Sequence, residues 1–223
     1  MKTQTDSRKY EGQCKFCQQD FTKREITRHL DVCPKRIKDE EVKNLRLRII
    51  DPYTKIFWLI IELNQQAKFK DVDNLIRDVW VECCGHLSLF GSYEDETGKG
   101  RTVLDSLEPG DKVNYIYDFG SSTELTIEAL GYTQYQLADK KKIELVARNY
   151  LPPAHCQKCG QQAAWVCVAC ESEAGKLFVC DTCAEKYHNE VNEKEEHYLL
   201  PLANSPRCGV CGYEPGGPLD KLF

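Results

Sequence analysis

No run of about 18 consecutive apolar residues occurs in this 223-residue sequence, so no bilayer-spanning helix is expected. The first 30 residues are polar and charged, without the basic head and apolar stretch of a secretory signal. A cytoplasmic protein with no membrane partner is the expectation. Asp118-Phe119-Gly120 copies a kinase tripeptide, but the Gly-rich phosphate loop, strand lysine and His-Arg-Asp loop of a kinase are all missing. It reads as a strand end followed by a glycine turn. A large excess of one charge is lacking as well: the net charge is −5, with residues 1–48 at +5 and the rest at −10. A polyanion-binding surface would therefore lie at the N-terminus, where a merely solvated basic segment is an equal alternative.

What the chain does have is cysteine, 13 in all, together with 41% hydrophobic residues, enough for one central domain with small satellites. Eleven of the cysteines stand in Cys-x2-Cys pairs or in a pair completed by His-x3-Cys. Sulfurs two residues apart reach one tetrahedral ion easily, so zinc in a reducing compartment is expected rather than a disulfide scaffold.

Cys14-x2-Cys17, eleven residues, then His29-x3-Cys33 supplies four ligands in a compact ββα-like frame. On a helix His29 and Cys33 share one face, while Cys14 and Cys17 form a hairpin knuckle. Phe21 and Ile26 would pack beneath the ion. The pattern Cys-x2-Cys-x3-Phe-x4-Ile-x2-His-Leu-Asp-x-Cys from Cys14 to Cys33 resembles the ubiquitin-binding zinc finger of eukaryotic DNA-repair ligases and nucleases. In that family an exposed helix face and the acidic residue after His-Leu contact the partner, which implies Asp31 here. Lys23, Arg24, Arg28, Lys35, Arg36 and Lys38 surround the predicted helix and equally suit phosphate contacts. Residues 34–44 read as a helical extension or a flexible tether.

From residue 44 the pattern changes. Leu45 to Ile49 alternates with period two, and Ile56 to Ile61 is nearly continuously apolar, as a buried strand would be. Asp71 looks like an N-cap, followed by Val72, Leu75, Ile76, Val79, Trp80 and Cys83 at helical spacing up to Gly85. Further strands are predicted over 86–91, 112–119, 122–130 and 142–148, with a turn at 107–111. The expected class is α+β, a central helix packed on a mostly antiparallel sheet, flanked by small zinc-binding modules: a finger and basic linker over 1–43, the α+β domain over 44–152 and a cysteine/histidine-rich module over 153–223. Cys83, Cys84 and His86, with Asp111, Asp118 and Glu124 downstream, read as core packing with a satisfied histidine, or as an acid/base or nucleophile set.

The segments 80–90, 107–120 and 204–213 resemble the plasmid open-reading-frame-three-like family, also labelled transposon passenger TnpR-like. The resemblance runs from about Leu45 onward and implies a prokaryotic α+β domain, often with a cysteine-rich tail, near mobile elements. The resolvase-like label transfers no chemistry, because no serine-recombinase nucleophile motif stands near the N-terminus.

After Pro152 and Pro153 comes Cys156-x2-Cys159-x7-Cys167-x2-Cys170-x9-Cys180-x2-Cys183-x4-His188-x8-His197. Eight ligands make two tetrahedral sites, and the order resembles the B-box class of cross-brace modules. That resemblance implies one site of Cys156, Cys159, Cys180 and Cys183 and another of Cys167, Cys170, His188 and His197, with Cys208 and Cys211 as alternative ligands. Three zinc ions are expected in total. Saturated sulfur-rich sites leave no position for water, so the chain reads as a non-enzymatic adaptor that binds another protein, with nucleic acid as the second partner class and no small-molecule substrate identified. Lys23, Arg24, Arg28 and Asp31 are the candidate partner-binding residues. An enzyme of unknown reaction is the third reading.

Overall fold

A computed structural model describes residues 11–138, 141–172, 175–187 and 198–216. In chain order, an N-terminal hairpin β1 (Glu11–Cys14) and β2 (Asp20–Thr22) leads into helix α1 (Lys23–His29). Strands β3 (Asn44–Ile50) and β4 (Trp58–Leu63) precede helix α2 (Phe69–Ile76), which continues as a π-helical turn over Arg77–Val81. Then come β5 (Ser88–Phe90), β6 (Lys112–Tyr117), β7 (Thr123–Thr133) and β8 (Ile143–Asn149). The C-terminal part holds β9 (Trp165–Ser172), β10 (Gly175–Val179), α3 (Asp181–Tyr187) and β11 (Leu199–Pro201).

The expected central helix gives way to a central sheet. Eight strands pair antiparallel throughout in the order β2-β1-β8-β4-β3-β7-β6-β5, and α2 is a short cover on one face. The continuous apolar run of β4 has a two-sided cause. Leu59, Ile61 and Leu63 face Phe69, Val72, Ile76 and Val79, whereas Trp58 and Ile60 alternate to the opposite face and pack with Ile26, Leu30 and Val146. The finger therefore sits on the face of the sheet away from α2.

Helix α2 begins three residues earlier than its sequence signal. Lys68 is the N-cap, and Asp71 lies inside the first turn, where its carboxylate accepts the Lys68 backbone N–H at 2.8 Å. The helix ends at Val81, because Glu82 takes an extended conformation. Cys83 thus lies beyond the helix and not on its buried face. On the buried face of α2, Asp73 accepts from Ser88 Oγ at 2.7 Å, Tyr115 Oη at 2.8 Å and Lys99 Nζ at 3.0 Å. Burial pushes this carboxyl up, yet those hydrogen bonds outweigh it and the group sits below its ordinary range. A depressed folded-state value contributes stability above the unfolded value of about 4 and loses it as pH falls. Asp73→Asn is expected to cost about 2–3 kcal/mol at pH 7 in a denaturant titration, with the gap to wild type closing below about pH 4. A gap independent of pH would show that the charge is not what stabilises the network.

The N-terminal hairpin is part of the sheet, since Gly12, Gln13 and Cys14 pair with Asn149, Arg148 and Ala147 of β8. Glycine is required at 12: a Cβ there would lie 2.1 Å from the Arg148 carbonyl oxygen and 2.6 Å from Trp58. Residues 34–44 are neither helical extension nor free tether. Arg36 inserts beneath the finger, donating to the Leu30 carbonyl at 2.7 Å and pairing with Glu62 at 2.5 Å, and Lys38 bridges to Tyr135. Beyond residue 153 a separate three-stranded sheet runs β10-β9-β11. The chain then returns to the central domain, where Ser205 donates to the Trp80 carbonyl at 2.6 Å and Asn204 bonds Asn149. Among the described residues no helix is long and apolar enough to cross a membrane.

Candidate metal centres

Among the described residues, three groups of Cys and His side chains converge, each with its donor atoms within 4.8 Å of one another. The first is Cys14, Cys17, His29 and Cys33. β1 delivers Cys14, the following turn delivers Cys17, and α1 delivers His29 near its end. A capping box starts that helix, with the Glu25 N–H donating to the Thr22 hydroxyl and the Thr22 N–H to the Glu25 carboxylate. Cys14 and Cys33 sulfurs are 3.9 Å apart and the Cys17 sulfur is 3.2 Å from His29 Nε2. A tetrahedral ion with Zn–S of about 2.3 Å spaces its sulfurs by about 3.8 Å, whereas a disulfide needs about 2.05 Å. Burial pushes the Cys14 thiol up to about 12, and burial followed by the nearby Arg36 charge lowers His29 and favours its neutral, ligating form. A divalent cation supplies the positive charge that ionising such buried thiols requires. The donor set fits a metal.

The second group is Cys156, Cys159, Cys180 and Cys183. Cys180 and Cys183 lie just before and within α3, and Cys159 and Cys180 sulfurs are 3.5 Å apart. Burial opposes ionisation of Cys156, but backbone N–H groups of Cys180, Lys158 and Cys159 draw it down to about 6. The first cysteine pairs of both groups sit in the same kind of turn. Cys14 N–H donates to the Gln19 carbonyl and Cys156 N–H to the Gln161 carbonyl. Gln18 and Gly160, at equivalent positions, return a bond to the first cysteine with φ of 59° and 77°.

The third group is Cys83, Cys84, His86 and Cys211. In the sequence the first three read as core packing or as a catalytic set, and nothing in the spacing joins Cys211 to them. The structure shows Cys84 exposed, with its sulfur 2.9 Å from His86 Nε2 and 3.7 Å from both the Cys83 and the Cys211 sulfurs. Cys211 stands 3.6 Å from the same nitrogen and is drawn down to about 7, chiefly by His86. Asp118 Oδ2 also approaches His86 Nε2, at 3.5 Å, while the buried Arg207 guanidinium beside it holds that carboxyl down to about 2. Asp111 and Glu124 take no part, since they accept instead from the Glu108 N–H and the Tyr53 hydroxyl.

Cys167 and Cys170 lie in β9, and their expected mates His188 and His197 lie outside the described residues. Cys208 and Cys211 do not act as a pair: the Cys208 sulfur accepts the Ala203 N–H at 3.3 Å, while Cys211 turns to the third group. Their turn differs from the other two, with positive φ at Gly209 (69°) and Cys211 (55°). Among the candidate partner-binding residues, Arg24 and Arg28 are exposed and Lys23 donates to the Lys55 carbonyl. Asp31 is half tied down, accepting from Arg46 at 2.7 Å.

No family model and no curated protein matches the chain. Among solved structures, a protein of unknown function, MM3350 from Methanosarcina mazei Go1, is similar at 17% identity and a TM-score of 0.40, over 48% of this chain and 67% of that one.

Proposed function

We propose that the chain is a zinc-binding, non-enzymatic adaptor of the cytoplasm that engages another protein through its finger-bearing end. The observation that carries the reading is donor saturation: the first and second groups each converge four protein ligands on one point, which leaves no position for a reactive water. The histidine of the third group supports it too. In a nucleophile-base-acid relay the two ring nitrogens serve different partners, but Cys84, Cys211 and Asp118 all approach the same Nε2.

Protein rather than nucleic acid is favoured by how the basic finger is used. Arg36 is buried against Glu62, whereas Val32 and Ile37 beside it are 74% and 65% exposed. Two exposed apolar side chains in this short segment suit a protein contact better than a phosphate contact. The resemblance to the plasmid open-reading-frame-three-like family supports a prokaryotic mobile-element or defence setting, and the resemblance of Cys14–Cys33 to ubiquitin-binding fingers supports a protein-facing helix.

Exposed Arg24 and Arg28 keep a nucleic-acid reading in play, and one experiment separates the two. Zinc-loaded full chain is tested for binding to a generic duplex and a single-stranded oligonucleotide at low and moderate salt, and for partner capture from its own cells. The adaptor reading expects no salt-sensitive oligonucleotide retention, and capture lost on Val32→Ser with Ile37→Ser. Retention that falls steeply with salt and vanishes in Arg24→Gln with Arg28→Gln would overturn it.

A further inference from the structure

We propose that Cys83, Cys84, His86 and Cys211 form a solvent-accessible zinc site that staples the C-terminal segment to the β5–β6 edge of the central sheet. This deepens the zinc reading and rests on it. Two lines of observation carry the site, its spacing and its preparation.

The spacing is that of a coordination shell. The Cys84 sulfur lies 3.7 Å from both Cys83 and Cys211, beside the tetrahedral edge of about 3.8 Å expected for zinc thiolates. His86 Nε2 is 2.9 Å and 3.6 Å from the Cys84 and Cys211 sulfurs. Three sulfurs and one imidazole form a donor set that zinc accepts in structural sites.

The loop is prepared before any ion arrives. Glu82 accepts the Gly85 N–H at 2.6 Å and the Tyr117 hydroxyl at 3.1 Å while pairing with Arg77 at 2.6 Å. Arg77 in turn donates to the His86 carbonyl at 2.7 Å. Such supports fix ligand loops that would otherwise be ordered at the cost of affinity. On the other side, fully buried Arg207 donates to Asp118 at 2.6 Å, to Thr123 at 3.0 Å and to the Ser121 carbonyl at 2.9 Å, which sets the turn that presents Cys211. Cys211 is held at φ 55°, a conformation that a side-chain-bearing residue rarely adopts without reason.

Charge is accounted for as well. Three thiolates and a neutral imidazole around a dication leave one net negative charge, and Arg207, which interacts with Cys83 and Asp118, stands beside it. The site closes only when a segment 127 residues downstream of Cys84 is docked. Its ion thus reports on, and holds, that docking. With Cys84 and Cys211 both exposed, it is also, among the three groups in the described residues, the one most open to competing ligands in solution, whereas the first group keeps Cys14 and Cys33 buried and the second Cys156, Cys180 and Cys183.

The test uses full-length reduced protein loaded with zinc. Native mass spectrometry counts ions in wild type, Cys211→Ser and His86→Ala, and a colorimetric zinc chelator follows release over time. The expected result is one zinc ion fewer per chain in both variants and disappearance of the fastest release phase. Faster hydrogen exchange over residues 204–213 is expected alongside. Unchanged ion count and unchanged fast phase in both variants would overturn the site. A wild-type chain that holds no zinc at all would instead overturn the zinc reading of the whole protein, so the two failures are distinguishable. Cobalt loading adds a check that does not depend on foldedness at one residue: Cys211→Ser should lose part of the thiolate charge-transfer absorption while the far-UV spectrum stays.

Discussion

Withdrawing metal from the reduced protein is expected to unfold residues 11–33 as a unit while the opposite half of the sheet stays folded. α1 is seven residues long and the hairpin beside it pairs over three positions, both below what stands alone in water. Structural zinc contributes roughly 10–16 kcal/mol in isolated fingers. Part of the finger's order here comes from docking, through Ile26 and Leu30 on Trp58 and Ile60 and through the β1–β8 pairing. The net loss is therefore smaller than in an isolated finger, yet it should still lower hydrogen-exchange protection in β1 and α1 by more than about 100-fold, or about 3 kcal/mol. Protection in β3 and β7 should hold, because their core lies on the α2 face. Equal protection of residues 11–33 with and without metal would mean that the sheet surface, not an ion, holds the finger. Cys33→Ser, which removes a buried ligand, should reproduce the loss without a chelator.

Much of this arrangement is readable from residues alone, and where reading stops there is a physical reason. The finger ligands are local, so the set is legible from spacing, although α1 ends at His29 and Cys33 is delivered by the turn that follows rather than from the same helix face. Strands β3 and β6 follow alternation, and β4 its apolar run, whereas a bulge in β8 puts the consecutive Val146 and Ala147 into one cluster. The N-terminal hairpin's place in the sheet is not legible, because four residues of Glu-Gly-Gln-Cys carry no alternation and the pairing spans more than 130 positions. Gly12, squeezed between Arg148 and Trp58, is a signal that only tertiary structure explains. The third cysteine group escapes for a similar reason: its ligands lie 127 residues apart and in a turn unlike the other two, so spacing could not join them. What could have drawn attention is a dense Cys-Cys-Gly-His together with a Cys208–Cys211 pair left over from the cross-brace pattern. Arg36 misleads in the opposite direction, since charge in a basic segment suggests a solvated face while the side chain is buried.

Glu62 is the sequence signal for that burial, a carboxylate inside the apolar strand Trp58–Leu63, where an unpaired charge could not be tolerated. Its oxygens pair with Arg36 at 2.5 Å and Arg46 at 2.9 Å and accept from Thr133 at 3.2 Å, with the carboxylate fully buried and both guanidiniums nearly so. Arg46 also reaches Asp31 and the Thr27 carbonyl of the finger, and Arg36 the Leu30 carbonyl. One carboxylate therefore anchors the two arginines that fasten the finger to the sheet. Glu62→Ala leaves Arg36 buried without its counter-charge and Arg46 with only the more exposed Asp31, and a loss of about 3–5 kcal/mol in global stability is expected by chemical denaturation. Proteolysis in the 34–44 segment should speed up in parallel. Replacing all three charges at once, as Arg36→Met, Arg46→Met and Glu62→Leu, should recover much of the loss, since buried ion sets are often no more stabilising than apolar residues that fill the same volume. A Glu62→Ala change of less than about 0.5 kcal/mol, the level of an ordinary surface substitution, would show that the arginines find water or other partners and that the finger is fastened by its apolar contacts alone.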